Sequence, residues 1–276
     1  MLEDVVTPAG PYRLRLMCRS GSWQAPLERG ETATAWQRPD GRVVVRASTP
    51  EGLLRARFML ALEGDTSGFH RRFDRDPLLG PTSRSLAGYR PLRLATVAHA
   101  ALRAVCGQLI ESRRAALIER SILRHLGVGV ATRETLATLT PAELRRHGLA
   151  TSRAATLVRL VRSLDLERLR RHDTAVVLER LQRERGIGPW SVGVIAIEGL
   201  GRYDHGLVGD LGLIKLLSSL RGTWVEAEET AELLAPYGEW QGLAGHLLML
   251  GWSRGLIPGA DPDLGRQTRL RTSRAA

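Results

Sequence analysis

Apolar positions along the chain change their spacing near residue 90. Before that point they alternate in short runs, and after it they recur at helical intervals. In YRLRLMC, Tyr12, Leu14, Leu16 and Cys18 fall on one side and Arg13 and Arg15 on the other, the period of a strand. TATAWQ and RVVVRAS flank Pro39-Asp40-Gly41, which reads as a hairpin turn between two strands. Thr49-Pro50-Glu51 then opens a helix. Threonine is its N-cap, and proline takes the first helical position, where a missing N–H costs no bond. Leu53, Leu54, Met59 and Leu62 supply part of its apolar side. The stretch LLGPTSRSLAG, rich in Gly, Pro and Ser, predicts a loop and a boundary near residues 78–88.

From about residue 92 the helical period takes over. VAHAALRAVCGQLI places Val97, Ala101, Ala104, Val105 and Leu109 near one face, and SRRAALIERSILRHLG runs to Gly127, a C-terminal stop. Thr140-Pro141-Ala142-Glu143 is a capping box, and Ser152 and Asp173 read as further N-caps. A helix over about 174–184 leads into Gly186-Ile187-Gly188, and Pro189 begins the next. Another helix starts near Leu211, with two more before a polar, Arg-bearing tail. The expected fold class is α+β. A small sheet-containing domain over residues 1–85 precedes a mostly α-helical region over 86–260, with a helix-hairpin-helix at about 174–199 and a basic tail over 261–276.

Composition removes several classes. No segment of the 276 residues approaches the ~18 consecutive apolar residues of a membrane helix, so no membrane partner is expected. The opening MLEDVVTPAG lacks the basic-then-apolar order of a secretory signal. Two distant cysteines, Cys18 and Cys106, exclude a disulfide framework and any four-cysteine metal cluster. A reducing, cytoplasmic setting is therefore expected. A net charge of +11 points to a polyanion, with nucleic acid the first candidate. The charge is nearly all arginine, with Lys215 the only lysine, so codon bias explains the skew as readily as phosphate binding does.

Candidate chemistry sharpens the picture. Glycines at 186 and 188 allow positive φ and close backbone approach, and Ile187 between them can turn inward and pin the hairpin. The result is a helix start with exposed amides, suited to a phosphate oxygen. A tight corner between helices would use the same residues. Asp210 lies twenty positions after Trp190, on a glycine-punctuated loop before an apolar helix. Read alone it is an N-cap. Beside a DNA-holding hairpin, the same carboxylate could face a sugar C1′.

These residues resemble the helix-hairpin-helix DNA glycosylase superfamily, specifically the DNA-3-methyladenine glycosylase II group. The matching segments are GIGPW, the aspartate in GDLGL, CGQLI, and LTPAELRRHGLATSRAATLVRLV, where Arg153 stands in place of the usual lysine. The resemblance covers roughly residues 92–255. It implies a monofunctional glycosylase of base excision repair, flipping an alkylated purine of the 3-methyladenine or 7-methylguanine type out of duplex DNA and hydrolysing its N-glycosidic bond. Asp210 would then be the catalytic carboxylate, and Trp190 a base-pocket aromatic or a packing residue. Gly186, Ile187 and Gly188 would hold the backbone, and Leu109 would wedge into the stack or fill the core. Gln108 would touch DNA or cap a helix. Related enzymes that also cut the backbone carry a lysine at the position of Trp190, so no lyase step is expected here. The resemblance implies no organic cofactor and no catalytic metal, and allows a structural monovalent cation at the hairpin carbonyls. A monomer acting on double-stranded DNA containing a damaged base is the implied state. Val194 and Met249 depart from aromatic pocket positions of relatives. Two alternatives stay open: a same-fold glycosylase for deaminated or oxidised bases, and a non-catalytic DNA-binding or lesion-sensing protein.

Overall fold

The computed structural model describes residues 1–18, 20–108 and 110–261. The predicted wedge Leu109, and the tail beyond residue 261, lie outside the described residues. Four strands, β1 (Leu2–Val6), β2 (Ser22–Pro26), β3 (Thr32–Gln37) and β4 (Val43–Ala47), form an antiparallel sheet in the order β1-β4-β3-β2. The predicted hairpin is β3–β4, with Thr34 opposite Arg46 and Gln37 opposite Val43. Val43, Val45 and Ala47 pack with Ala33, Ala35 and Trp23 into a core roofed by α1 (Pro50–Met59). As predicted, α1 starts at Thr49, whose side chain accepts from the Gly52 N–H.

YRLRLMC departs from its strand pattern: Leu14–Leu16 is a short 3-10 turn. The cause is Gln37 at the end of β3. Its Oε1 accepts from the Leu14 N–H at 2.9 Å, and its Nε2 donates to the carbonyls of Tyr12 and Gly41 at 3.1 and 2.9 Å. A side chain thus meets backbone needs that a neighbouring strand would otherwise meet. Buried Arg90 does the same for the next segment, donating to Ala9, Pro11 and Ala61 carbonyls while lying over the Tyr12 ring.

The remaining described elements are helical. First come α2 (Ser67–Phe73), α3 (Gly80–Ser85), α4 (Val97–Gly107), α5 (Ser112–His125), α6 (Arg133–Ala137) and α7 (Pro141–Arg146). After them come α8 (Thr151–Ser163), α9 (Thr174–Gln182), α10 (Pro189–Val194), α11 (Leu211–Arg221), α12 (Glu229–Leu234) and α13 (Gln241–Ser253). The loop predicted at LLGPTSRSLAG contains α3 instead. Asp76 Oδ1 accepts from the Leu78 and Leu79 N–H groups just before it, and Leu79 and Leu86 are buried in the helical core. Ser152 is not an N-cap either. α8 begins one residue earlier, behind Ala150, with no side-chain cap. Asp173 does occupy the N-cap of α9, although its side chain makes no capping bond. The Thr140–Glu143 capping box forms as predicted.

Central to this half is α4, buried along most of its length. Its partner is α10, which continues as a π-helical segment, Ile195–Leu200. Gly199 permits their close packing, since a Cβ there would come 2.8 Å from the Ala100 Cβ.

Candidate active site

The hairpin between α9 and α10 has the predicted geometry. Gly186 takes φ +87°, and a Cβ there would meet the Thr156 Oγ1 at 2.4 Å, so only glycine fits without strain. Ile187 is buried in the helical core, which pins the turn. Gly188 is extended rather than left-handed, and a Cβ on it would meet no protein atom within 4 Å. No packing contact among the described residues therefore requires glycine at this position. Both glycines are exposed, at the mouth of a helix whose first residue is proline.

Asp210 is the N-cap of α11. Its Oδ1 accepts from the Gly212 N–H at 2.7 Å, and its Oδ2 accepts from the Trp190 indole Nε1–H at 2.8 Å. Residues twenty positions apart thus meet directly, and the carboxylate is held through both oxygens. Trp190 turns its N–H edge to this aspartate and the opposite edge to α4, where a Cβ on Gly107 would lie 2.6 Å from its ring. Asp210 and Trp190 are both half-buried, so the pair is packed yet reachable. Met249 of α13 borders it, its sulfur 3.0 Å from where a Gly212 Cβ would stand, whereas Val194 is buried. Leu211, beside Asp210, is exposed.

Gln108 neither caps a helix through its side chain nor hangs free. Its Nε2 donates to the Gly186 carbonyl at 2.8 Å and to the Ser191 Oγ at 2.9 Å, tying the end of α4 to the hairpin. No periodicity signals such a long-range amide bridge. His246 of α13 also escapes pattern reading. Burial pushes its imidazole down, against the upward pull of the Glu198 and Asp210 carboxylates near it.

Glu184, Gly186 and Gly188 carbonyls accept from the Ile187 N–H, Gln108 Nε2 and Val192 N–H, and the Arg159 guanidinium donates to the Arg185 carbonyl. Each of these four hairpin carbonyls thus already accepts at least one protein donor. Among the described residues, no group of three or more His, Cys, Asp or Glu side chains could hold a metal ion. No helix there is long and apolar enough to cross a membrane.

No family model matches the chain. A DNA-3-methyladenine glycosylase of Bacillus subtilis (strain 168) is 24% identical over 200 residues, a match spanning 66% of this chain and 66% of the relative's own length. The 3-methyladenine DNA-glycosylase from Archaeoglobus fulgidus superposes with a TM-score of 0.77 at 20% identity, covering 92% of this chain and 98% of that one. An 8-oxoguanine glycosylase/lyase of Clostridium acetobutylicum, bound to double-stranded DNA, superposes with a TM-score of 0.68 at 16% identity, covering 92% and 98%. The chain has the fold of the helix-hairpin-helix DNA glycosylases.

Proposed function

We propose that this protein is a monofunctional DNA glycosylase that removes alkylated purines of the 3-methyladenine or 7-methylguanine type from duplex DNA. The observation that carries the reading is the Trp190–Asp210 contact beside the Gly186–Gly188 hairpin. A carboxylate held through both oxygens, next to a backbone-binding turn, has little use in gripping phosphate. It suits the oxocarbenium-like transition state at C1′, where a fixed negative charge needs no reorganisation as positive charge develops. Water then adds to C1′ as the base departs with the bond's electrons. An alkylated purine already carries positive charge, so the leaving group asks for little proton donation. The exposed hairpin amides and bare Gly188 would seat the phosphate backbone while the base is turned into the pocket.

The likeness to an 8-oxoguanine glycosylase/lyase favours a second reading, in which the base is oxidised. Position 190 weighs against its lyase step, because an indole cannot form a Schiff base. The one lysine, Lys215, lies on the exposed side of α11 beyond Asp210.

The deciding experiment compares wild type with Asp210→Asn on duplexes holding 3-methyladenine, 7-methylguanine or 8-oxoguanine. Wild type is expected to release the alkylated bases, and the variant to lose about a hundredfold or more in rate while keeping DNA affinity. Equal release by both proteins would remove Asp210 from the chemistry. Strand cleavage without alkali or heat would refute the monofunctional assignment.

A further inference from the structure

A second polar cleft opens between α2 and α3, helices that supply neither Trp190 nor Asp210. It encloses about 380 Å³ and is lined by His70, Arg71 and Asp74 on one side and Ser83, Arg84 and Ala87 on the other. At its base, His70 Nδ1 lies 2.9 Å from the Oγ of fully buried Ser83, a bond that ties the two helices together. Burial and the nearby Arg90 push the His70 imidazole down, so the ring adds no charge of its own at neutral pH. The positive charge comes from Arg71 and Arg84, both exposed. The Asp74 carbonyl accepts from Arg84 Nη1, which anchors that guanidinium beside the cleft. Among the described residues, no protein acceptor engages Arg84 Nε or Nη2, or any N–H of Arg71. Asp74 also brings a carboxylate to the lining, and it forms no ion pair among the described residues. Two guanidinium groups thus face one carboxylate, and the cleft is net positive.

We infer that this cleft binds a phosphate group, held by the Nε–Nη2 fork of Arg84 and by the Arg71 guanidinium. The inference does not depend on the glycosylase reading, because the cleft shares no residue with that site. A planar guanidinium fork matches two oxygens of one phosphate. With Nη1 already tied to a carbonyl, Arg84 loses less freedom on binding than an untethered side chain would. A phosphate has oxygens for both arginines, and their two charges outweigh the repulsion from Asp74. The cleft exceeds a bare phosphate in volume, which leaves room for the sugar or chain attached to it. The phosphate can belong to a nucleic-acid backbone or to a free phosphorylated compound.

The test titrates inorganic phosphate into the whole protein at constant ionic strength and pH. Binding is followed through the ring-proton NMR signals of His70, which report on this cleft and not on the hairpin. Wild type is expected to show a saturable shift. Arg84→Gln should weaken it at least about tenfold, the loss of one charged hydrogen-bonded contact. Arg71→Gln, which breaks no protein bond, should weaken it as well, and Asp74→Asn should tighten it. The salt dependence of binding to undamaged duplex DNA then separates the two sources. If the phosphate is DNA's, the log–log slope becomes shallower by about 1 in each arginine variant; a free phosphorylated ligand leaves it unchanged. Arg75→Gln, an exposed neighbour outside the lining, should change neither reading. Phosphate affinity and salt slope both unmoved by Arg71→Gln and Arg84→Gln would overturn the site. An equal effect from Arg75→Gln would also overturn it, reducing the effect to general surface charge.

Discussion

Trp190→Phe separates two roles that the indole could play. The substitution keeps an aromatic face against Gly107 but deletes the N–H that donates to Asp210 Oδ2 at 2.8 Å. A hydrogen bond to a charged group contributes about 1.5–3 kcal/mol, and each ~1.4 kcal/mol is tenfold in rate. Because the pair is half-buried, water can partly replace the lost donor, so the lower end applies. The expected loss is about tenfold in the single-turnover rate of base release. Asp210 keeps its second bond, from Gly212, so it is loosened rather than freed. DNA affinity should stay within about twofold, since the hairpin and its ties through Gln108 are untouched. Rates come from rapid mixing of excess enzyme with a single-lesion duplex, and affinities from anisotropy on an abasic-analogue duplex. A Trp190→Phe protein within about threefold of the wild-type rate would refute the orienting role and return Trp190 to stacking, which phenylalanine preserves.

Two further predictions concern the scaffold. Gly186→Ala forces a side chain into φ +87° against Thr156 and should cost more than about 1 kcal/mol in unfolding free energy. Gly188→Ala meets nothing and should cost under about 1 kcal/mol, yet weaken DNA binding because its Cβ would stand in the proposed phosphate approach; thermal melts and anisotropy on both variants check the pair. Burial alone would raise the Glu119 carboxyl, but hydrogen bonds from His99 and Arg103 outweigh it and bring it down to about 2. A depressed carboxylate contributes stability above its unfolded-state value that is lost as pH falls toward the folded one, so acid titration between about pH 5 and 2 should destabilise wild type. Glu119→Gln should flatten that dependence, as followed by denaturant melts at each pH.

Much of the fold was legible because its signals are local. The β3–β4 hairpin, the Thr49 cap, the Thr140–Glu143 box and the Gly186 turn each depend on residues within a few positions of one another. Two of the misreadings come from tertiary contacts that a local pattern does not carry. Gln37 turned the YRLRLMC alternation into a 3-10 turn, and leucines buried in the helical core accompany a helix in a stretch that composition marks as a loop. Ser152 lost its cap position because α8 begins one residue before it.

The candidate site divides along the same line. Short-range sterics and capping chemistry placed Gly186, Ile187 and Asp210 in their local roles, since a positive φ, an inward isoleucine and an N-cap carboxylate are properties of a few consecutive residues. Tertiary packing alone decided that the Trp190 indole meets Asp210, that Gln108 reaches the hairpin, and that Arg103 joins Glu119 and Glu198. Those pairings join residues 16 to 95 positions apart, and their geometry depends on how α4, α10 and α11 pack around a shared core. No sequence period encodes such contacts, because they arise from the burial of apolar faces that carry the polar groups with them.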